Sequence, residues 1–189
     1  MNTPNKLTVL RVILVPIFMA FMLAIPQNPA NSVYITVSLV LFIVASLTDT
    51  FDGYIARKHN LITNFGKFMD PLADKMLTTA AYLGLLTMER ASAWAVMLIL
   101  AREFLVSGIR LVAAGDGTII AASIWGKVKT VFQMVSIIAA FLLMYENPIC
   151  PVDTGILITQ IMVWISAAIT VISGADYAIR NIGVFKDAK

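Results

Sequence analysis

This 189-residue chain has little of what soluble or disulfide-bonded proteins contain. Charged residues make up 13% of the chain, about half of the ~25% usual in soluble domains, so a soluble globular protein is excluded. The single cysteine, Cys150, excludes an internal disulfide and a cysteine-based metal cluster. The single histidine, His59, lies beside Arg57, Lys58 and Asn60, where a solvated loop residue is more common than a metal ligand.

Long apolar runs fill most of the sequence, which is 59% hydrophobic with a mean hydropathy of +0.86. Six runs are long enough to cross a membrane as helices. They start near Leu7, Ser32, Phe65, Ala93, Thr130 and Ile156. The sequence therefore predicts an all-α integral membrane protein of six transmembrane helices, with a short interfacial N-terminal segment. Residues 1–189 are expected to form one domain, with residues 118–129 as an interfacial linker.

The basic residues indicate how the chain is oriented in the membrane. Thirteen of the fourteen Lys and Arg residues fall at the two termini, in the second and fourth connections, or at the adjoining helix ends; the exception is Arg90. Such a bias places both termini on the cytoplasmic side of the cell inner membrane. Arg11, one turn into the first run, is expected to snorkel or to face a polar site. The net charge of +3 reflects topology and lipid phosphates, and no nucleic acid partner is expected.

Four of the eleven acidic residues lie in two short stretches. If both stretches are helical, Asp49 shares a helix face with Asp52, and Asp70 with Asp74, at Cβ separations of about 5–6 Å. Four converging carboxylates would repel one another without a cation, and hard oxygen ligands suit Mg²⁺, Mn²⁺ or Ca²⁺. The pattern predicts a divalent-metal site. Two other interpretations are solvated helix-end charges and the ion pathway of an ion-coupled membrane carrier.

The spacing of this acidic region is also specific. It reads D-x-x-D-G-x-x-A-R over residues 49–57, then eight residues, then G-x-x-x-D-x-x-x-D over residues 66–74. Every specified position matches the signature of the CDP-alcohol phosphotransferases, which it closely resembles; these are integral-membrane enzymes of phospholipid headgroup synthesis. An ion carrier would not explain the fixed non-acidic positions, which are Gly53, Ala56, Arg57 and Gly66.

The resemblance implies a fold, a reaction and a set of site residues. In this family the hydroxyl of an acceptor alcohol attacks the β-phosphorus of CDP-diacylglycerol, and CMP leaves. The expected cofactor is Mg²⁺ or Mn²⁺, with two ions in the site. The implied metal ligands are Asp49, Asp52, Asp70 and Asp74, and Asp74 is also the expected general base. The implied CDP-diacylglycerol-binding residues are Asn5, Thr8, Asp49, Asp52, Gly53, Ala56, Arg57 and Gly66.

A second resemblance concerns the acceptor. Residues 102–110 and 120–130 look like those of the bacterial phosphatidylglycerophosphate synthases, the branch of the family whose acceptor is glycerol 3-phosphate. The residues expected to bind the acceptor phosphate are Lys67, Arg102, Arg110, Lys127 and Lys129. Each alone could serve only topology, but as a group they favour phosphate binding. Serine and inositol phosphate remain alternative acceptors. Family members are commonly homodimers, so a homodimer in contact with membrane lipids is expected.

The adjacent charges Arg102 and Glu103 interrupt the fourth apolar run. Because charges are costly in hydrocarbon, both are expected to face protein rather than lipid. Neighbouring residues on a helix point apart, so an ion pair between these two is not expected.

Overall fold

The computed structural model describes residues 3–25, 32–58, 64–115, 123–145 and 151–181. These residues form a helical bundle, as the sequence predicts. The helices are α1 (Thr3–Ala24), α2 (Ser32–Lys58), α3 (Asn64–Thr87), α4 (Ala93–Gly115), α5 (Ile124–Leu142) and α6 (Val152–Arg180).

The bundle is apolar outside and partly polar inside, the reverse of a water-soluble protein. Trp94 and Phe104 are 70% and 71% exposed, whereas Gln133 and Thr170 are buried. Within the described residues, three helical segments are long and apolar enough to span a membrane: Lys6–Ala24, Ile124–Leu142 and Val152–Arg180. The protein is therefore a membrane-embedded helical bundle, and passage of all six helices across the bilayer remains a prediction.

Aromatic packing holds the centre of the bundle together. Phe18 of α1, Phe42 of α2 and Phe141 of α5 are fully buried, and their ring centroids lie 6.0–6.5 Å apart. Tilted and edge-to-face contacts at such distances are favourable for aromatic pairs. This cluster joins the first two helices to the fifth.

The helices pack in two groups. α1 packs against α2 and α3, and α6 packs against α4 and α5. In the described parts of the chain, the backbones of α4 and α5 do not approach each other directly. Each of the two helices packs on α6 instead, and both carry basic residues that are discussed below.

Two local predictions are wrong. Residues 3–6, expected to form a separate interfacial segment, are the first turn of α1. Pro4 permits this because a proline in the first turn removes only an N–H that has no helical partner. Residues 124–129, expected in a linker, are helical because Ser123 caps α5 by accepting a hydrogen bond from the Gly126 N–H at 3.1 Å.

Two glycines provide a test of the packing. A Cβ on Gly155 would lie 2.9 Å from the carbonyl oxygen of Leu143, whereas a Cβ on Gly108 would meet nothing within 4 Å. We expect Gly155→Ala to destabilise the protein by about 1–3 kcal/mol through overpacking. Gly108→Ala is the matched control and should be neutral or stabilising by up to ~1 kcal/mol. Thermal unfolding in detergent measures both, and equal melting temperatures for the two variants would contradict this packing.

Candidate active site

The acidic motif lies on two neighbouring helices. Asp49 and Asp52 occur in the C-terminal part of α2, Asp70 and Asp74 occur in the N-terminal half of α3, and the two helices pack against each other. The helical backbone expected for both halves is thus confirmed. The four carboxylate side chains lie outside the described part of the structure, so their convergence stays a prediction. Oxygen donors on adjacent helices are nonetheless a donor set that suits a divalent ion.

For the other predicted site residues the structure gives only the helical backbone. The side-chain environment is outside the described part of the structure at Asn5, Gly53, Ala56, Arg57, Gly66 and Lys67. Thr8 and Arg11 are described, and both are buried, with exposures of 1% and 0%. Arg11 therefore does not snorkel, and it faces the protein interior. Both residues lie on α1, which packs against the two helices that carry the motif.

A cavity of about 380 Å³ lies between α3, α4 and α5. Four of the five residues predicted to bind an acceptor phosphate line it together: Arg102, Arg110, Lys127 and Lys129. Lys75 also lines it, and this residue directly follows Asp74 in α3. The cavity wall thus begins one residue beyond the acidic motif.

Glu103 is the one carboxylate among the described residues that line this cavity. It accepts a hydrogen bond from Lys129 Nζ and lies 3.3 Å from Arg102 Nη1. The side chains of all three residues are at most 12% exposed. The pairing of Arg102 with Glu103 was not expected from their adjacency in the helix. The pair forms because Lys129 of α5 donates a hydrogen bond to the Glu103 carboxylate and holds it in the cavity, where the long Arg102 side chain also reaches it.

Arg102 is also fixed from α6. Its Nη2 donates a hydrogen bond of 2.8 Å to Ser173 Oγ, and its aliphatic stem lies over Gly174. A Cβ on Gly174 would lie 2.7 Å from Arg102 Cγ, so only glycine leaves room for the side chain in this position. Arg102 therefore has an ion-pair partner on its own helix and a hydrogen-bond partner on α6.

Arg110 has a different environment. Its Nε donates a hydrogen bond of 3.2 Å to the Tyr177 hydroxyl, and its guanidinium carbon lies 5.5 Å from the centre of the Tyr177 ring. Both distances indicate a guanidinium held by an aromatic side chain, in part through a cation–π contact. The charged group still lines the cavity.

The cavity as a whole is strongly cationic. Among the described residues, five basic side chains and one carboxylate line it, which gives them a formal charge of +4. An anionic ligand would stabilise this group of cations, because like charges repel one another in a partly buried pocket. The arrangement is suited to a phosphate group, which arginine and lysine bind by charge-assisted hydrogen bonds.

A family match covers α2 and α3, which carry the acidic motif, and also α4 and α5, which line the cavity together with α3. Residues 1–172 match the family model described as CDP-alcohol phosphatidyltransferase. The chain belongs to the CDP-alcohol phosphatidyltransferase family. The family resemblance predicted from the acidic motif is therefore confirmed.

Curated relatives within the family are similar over nearly their whole length. The CDP-diacylglycerol--glycerol-3-phosphate 3-phosphatidyltransferase of Bacillus subtilis is 43% identical over 187 residues, which is 95% of each chain. The protein of the same name from Rickettsia felis is 40% identical over 93% of each chain. A probable phosphatidylglycerophosphate synthase of Mycobacterium tuberculosis is 36% identical, over 96% of this chain and 84% of its own.

Several residues of this CDP-alcohol phosphatidyltransferase site were not found from the sequence. Lys75 could have been found, because it follows the last motif aspartate and lies two turns beyond Lys67. Ser173 and Tyr177 carry no comparable signal, since a hydroxyl in an apolar helix resembles many others. Their four-residue spacing predicts a shared face of α6, but only packing against α4 brings them to the two arginines.

The buried position of Glu103 generates a stability prediction. Glu103→Gln should lower the free energy of unfolding by about 3 kcal/mol, because it removes the buried negative charge that pairs with both Arg102 and Lys129. Adding Lys129→Met should recover part of the loss. Thermal or denaturant unfolding in detergent measures the effect.

The matched control is Asp176→Asn, which breaks the ion pair between Asp176 and the 69% exposed Arg180. Because one partner is well exposed to solvent, such a pair contributes only about 0–1 kcal/mol. A Glu103→Gln protein as stable as the control would show that the carboxylate does not hold the two cations in the folded protein.

Proposed function

We propose that this chain is a phosphatidylglycerophosphate synthase. It transfers the phosphatidyl group of CDP-diacylglycerol to glycerol 3-phosphate and releases CMP. The relatives named above support the reaction, and the cationic cavity that begins at Lys75, beside Asp74, supports the acceptor. That juxtaposition is the single observation on which the proposal depends most, because the reaction requires a phosphorylated acceptor next to the reacting phosphorus.

The reaction forms a bond from the acceptor hydroxyl oxygen to the β-phosphorus of CDP-diacylglycerol. The bond from that phosphorus to the oxygen of the departing CMP breaks, and the hydroxyl proton goes to Asp74 as general base. A proton acceptor must lie within hydrogen-bond reach of the hydroxyl, so the acceptor must be held close to α3. The cavity between α3, α4 and α5 is suited to hold the acceptor phosphate while its hydroxyl extends toward Asp74.

CDP-alcohol phosphatidyltransferases generally use a divalent metal. In this chain Asp49, Asp52, Asp70 and Asp74 would hold it, as two Mg²⁺ or Mn²⁺ ions. When bound, the metal neutralises the diphosphate and stabilises charge on the departing oxygen. The remaining motif residues, with Asn5 and Thr8 of α1, would bind the CMP portion of the lipid.

Other acceptors fit the cavity less well. Serine has no phosphate and carries an ammonium group beside its carboxylate, and the described lining, with a formal charge of +4, disfavours that ammonium group. Inositol phosphate shares the phosphate with glycerol 3-phosphate, so only its bulk distinguishes it. Membership of a transferase family argues against an ion-coupled carrier.

We further propose that residues 1–189 form one domain of six transmembrane helices in the cell inner membrane. The distribution of Lys and Arg supports this topology, with both termini and the active site facing the cytoplasm. Glycerol 3-phosphate would then enter from the cytoplasm, and CDP-diacylglycerol from the surrounding bilayer. A homodimer is expected from the family resemblance.

An acceptor panel tests the function. We expect the purified protein in detergent to release CMP from CDP-diacylglycerol only when a divalent cation and glycerol 3-phosphate are both present. Serine, inositol and inositol phosphate should support little or no release. CMP is quantified by chromatography, and the lipid product by mass spectrometry. Release that does not depend on which acceptor is added would refute the assignment of glycerol 3-phosphate.

A substitution in the acidic motif tests the site. Asp70→Asn should abolish CMP release while leaving the protein folded and inserted, because it removes a charged oxygen ligand from the proposed metal site. Asp153→Asn is the matched control, since Asp153 is exposed in the first turn of α6 and lies outside the motif. The measurement is initial rate at saturating substrates, with size-exclusion elution as the check of folding. An Asp70→Asn rate close to that of the control would contradict the assignment.

A further inference from the structure

A row of hydroxyl groups follows one face of α6. All four are buried: Ser166, Thr170, Ser173 and Tyr177. The first two bond to α5 side chains, Ser136 and Gln133, each at 3.2 Å. The last two bond to the α4 arginines that line the cationic cavity. The first two hydroxyls therefore join α6 to α5, and the last two hold arginines of the cavity.

The two arginines differ in how much of their charge is already compensated. Arg102 is paired with Glu103, donates to Ser173 and packs over Gly174. Arg110 lines the same cavity, but among the described residues no carboxylate is paired with it. Arg110 is thus the arginine whose charge is available to an anion in the cavity.

Tyr177 limits the orientations that Arg110 can adopt. Its hydroxyl accepts the hydrogen bond from Arg110 Nε, which leaves the two terminal amino groups of the guanidinium for a ligand. Its ring lies 5.5 Å from the guanidinium carbon and Tyr177 itself is 2% exposed, so it is a rigid support. Arginine side chains lose rotamer freedom when they are ordered, which opposes binding. A partner that orders Arg110 in advance lowers this cost at the moment of binding.

We propose that Tyr177 is a positioning residue for the acceptor: it holds Arg110 so that both terminal amino groups face the phosphate of the incoming alcohol. This rests on the proposed function, since it assigns the cavity to a phosphorylated acceptor. Tyr177 does not touch the ligand, and it acts on affinity for the acceptor and not on the bond-making step.

The experiment is a double-mutant cycle in steady-state kinetics. Tyr177→Phe removes the hydroxyl and keeps the ring, and it should raise KM for glycerol 3-phosphate about fivefold, the effect of one hydrogen bond. Both kcat and KM for CDP-diacylglycerol should stay unchanged. Arg110→Ala should raise the acceptor KM roughly 30-fold through loss of a charge-assisted phosphate contact. In the double variant, the acceptor KM should equal that of Arg110→Ala alone.

Tyr145→Phe is the matched control. It removes a tyrosine hydroxyl that is hydrogen-bonded to Thr36 Oγ1 of α2 at 2.7 Å, just beyond the C-terminal end of α5, whereas the cavity residues of α5 lie near its N-terminal end. Its acceptor KM should equal that of the unaltered protein. A rise as large as that of Tyr177→Phe would show a general effect of losing a hydrogen-bonded tyrosine hydroxyl and would overturn the proposal.

The outcomes separate failure of this inference from failure of the proposed function. If Arg110→Ala leaves the acceptor KM unchanged, the cavity does not bind the acceptor phosphate, and both proposals about it fail. If Arg110→Ala raises that KM but Tyr177→Phe does not, the acceptor site stands and the role of Tyr177 is refuted. If the two effects multiply in the double variant, Tyr177 does not act through Arg110, and the inference is likewise refuted.

Discussion

The buried carboxylate of Glu103 is the interaction on which the cationic cavity depends. The described parts of α4 and α5 do not pack backbone to backbone, and Glu103 joins them through Lys129 while it also pairs with Arg102. Two cations this close would repel each other strongly in an environment of low dielectric constant. One negative charge between them allows both helices to present basic side chains to the same space, and the cavity keeps a positive charge for its ligand.

The cations of this arrangement fall into two groups. Arg102 and Lys129 are paired with the carboxylate of Glu103, whereas Arg110 and Lys127 are exposed and have no carboxylate partner among the described residues. α6 supports the first group and positions part of the second through its row of hydroxyls. A helix with a strongly apolar composition therefore contributes to the site through a few polar residues on its buried face.

The polar interior also explains how such a site can exist in a membrane. Apolar side chains such as Trp94 and Phe104 face outward, so hydrogen-bonded pairs such as Gln133 with Thr170 lie where no lipid reaches them. Burying a polar group is costly unless it is paired. The pairs between α5 and α6 meet this requirement and continue along the helices toward the ion pairs of the cavity.

Much of this protein could be predicted from its sequence, because the patterns concerned are local. Apolar runs predict the helices within a few residues, and the fixed spacing of Asp49, Asp52, Asp70 and Asp74 indicates the family. Basic residues such as Arg110 and Lys127 were predicted to form one phosphate-binding group, and the described members of that group do line one cavity. The capped start of α5 at Ser123 was missed, because charged and small residues at a helix entrance resemble those of a linker.

The sequence by itself thus determined the fold class, the family and the sign of the charge in the cavity between α3, α4 and α5. Tertiary structure alone decided which cations are paired and which remain available. The pairing of Glu103 with Lys129 and of Tyr177 with Arg110 joins residues 26 and 67 positions apart. No local pattern encodes such a contact, since it depends on how α4, α5 and α6 pack and on which side chains then meet away from water.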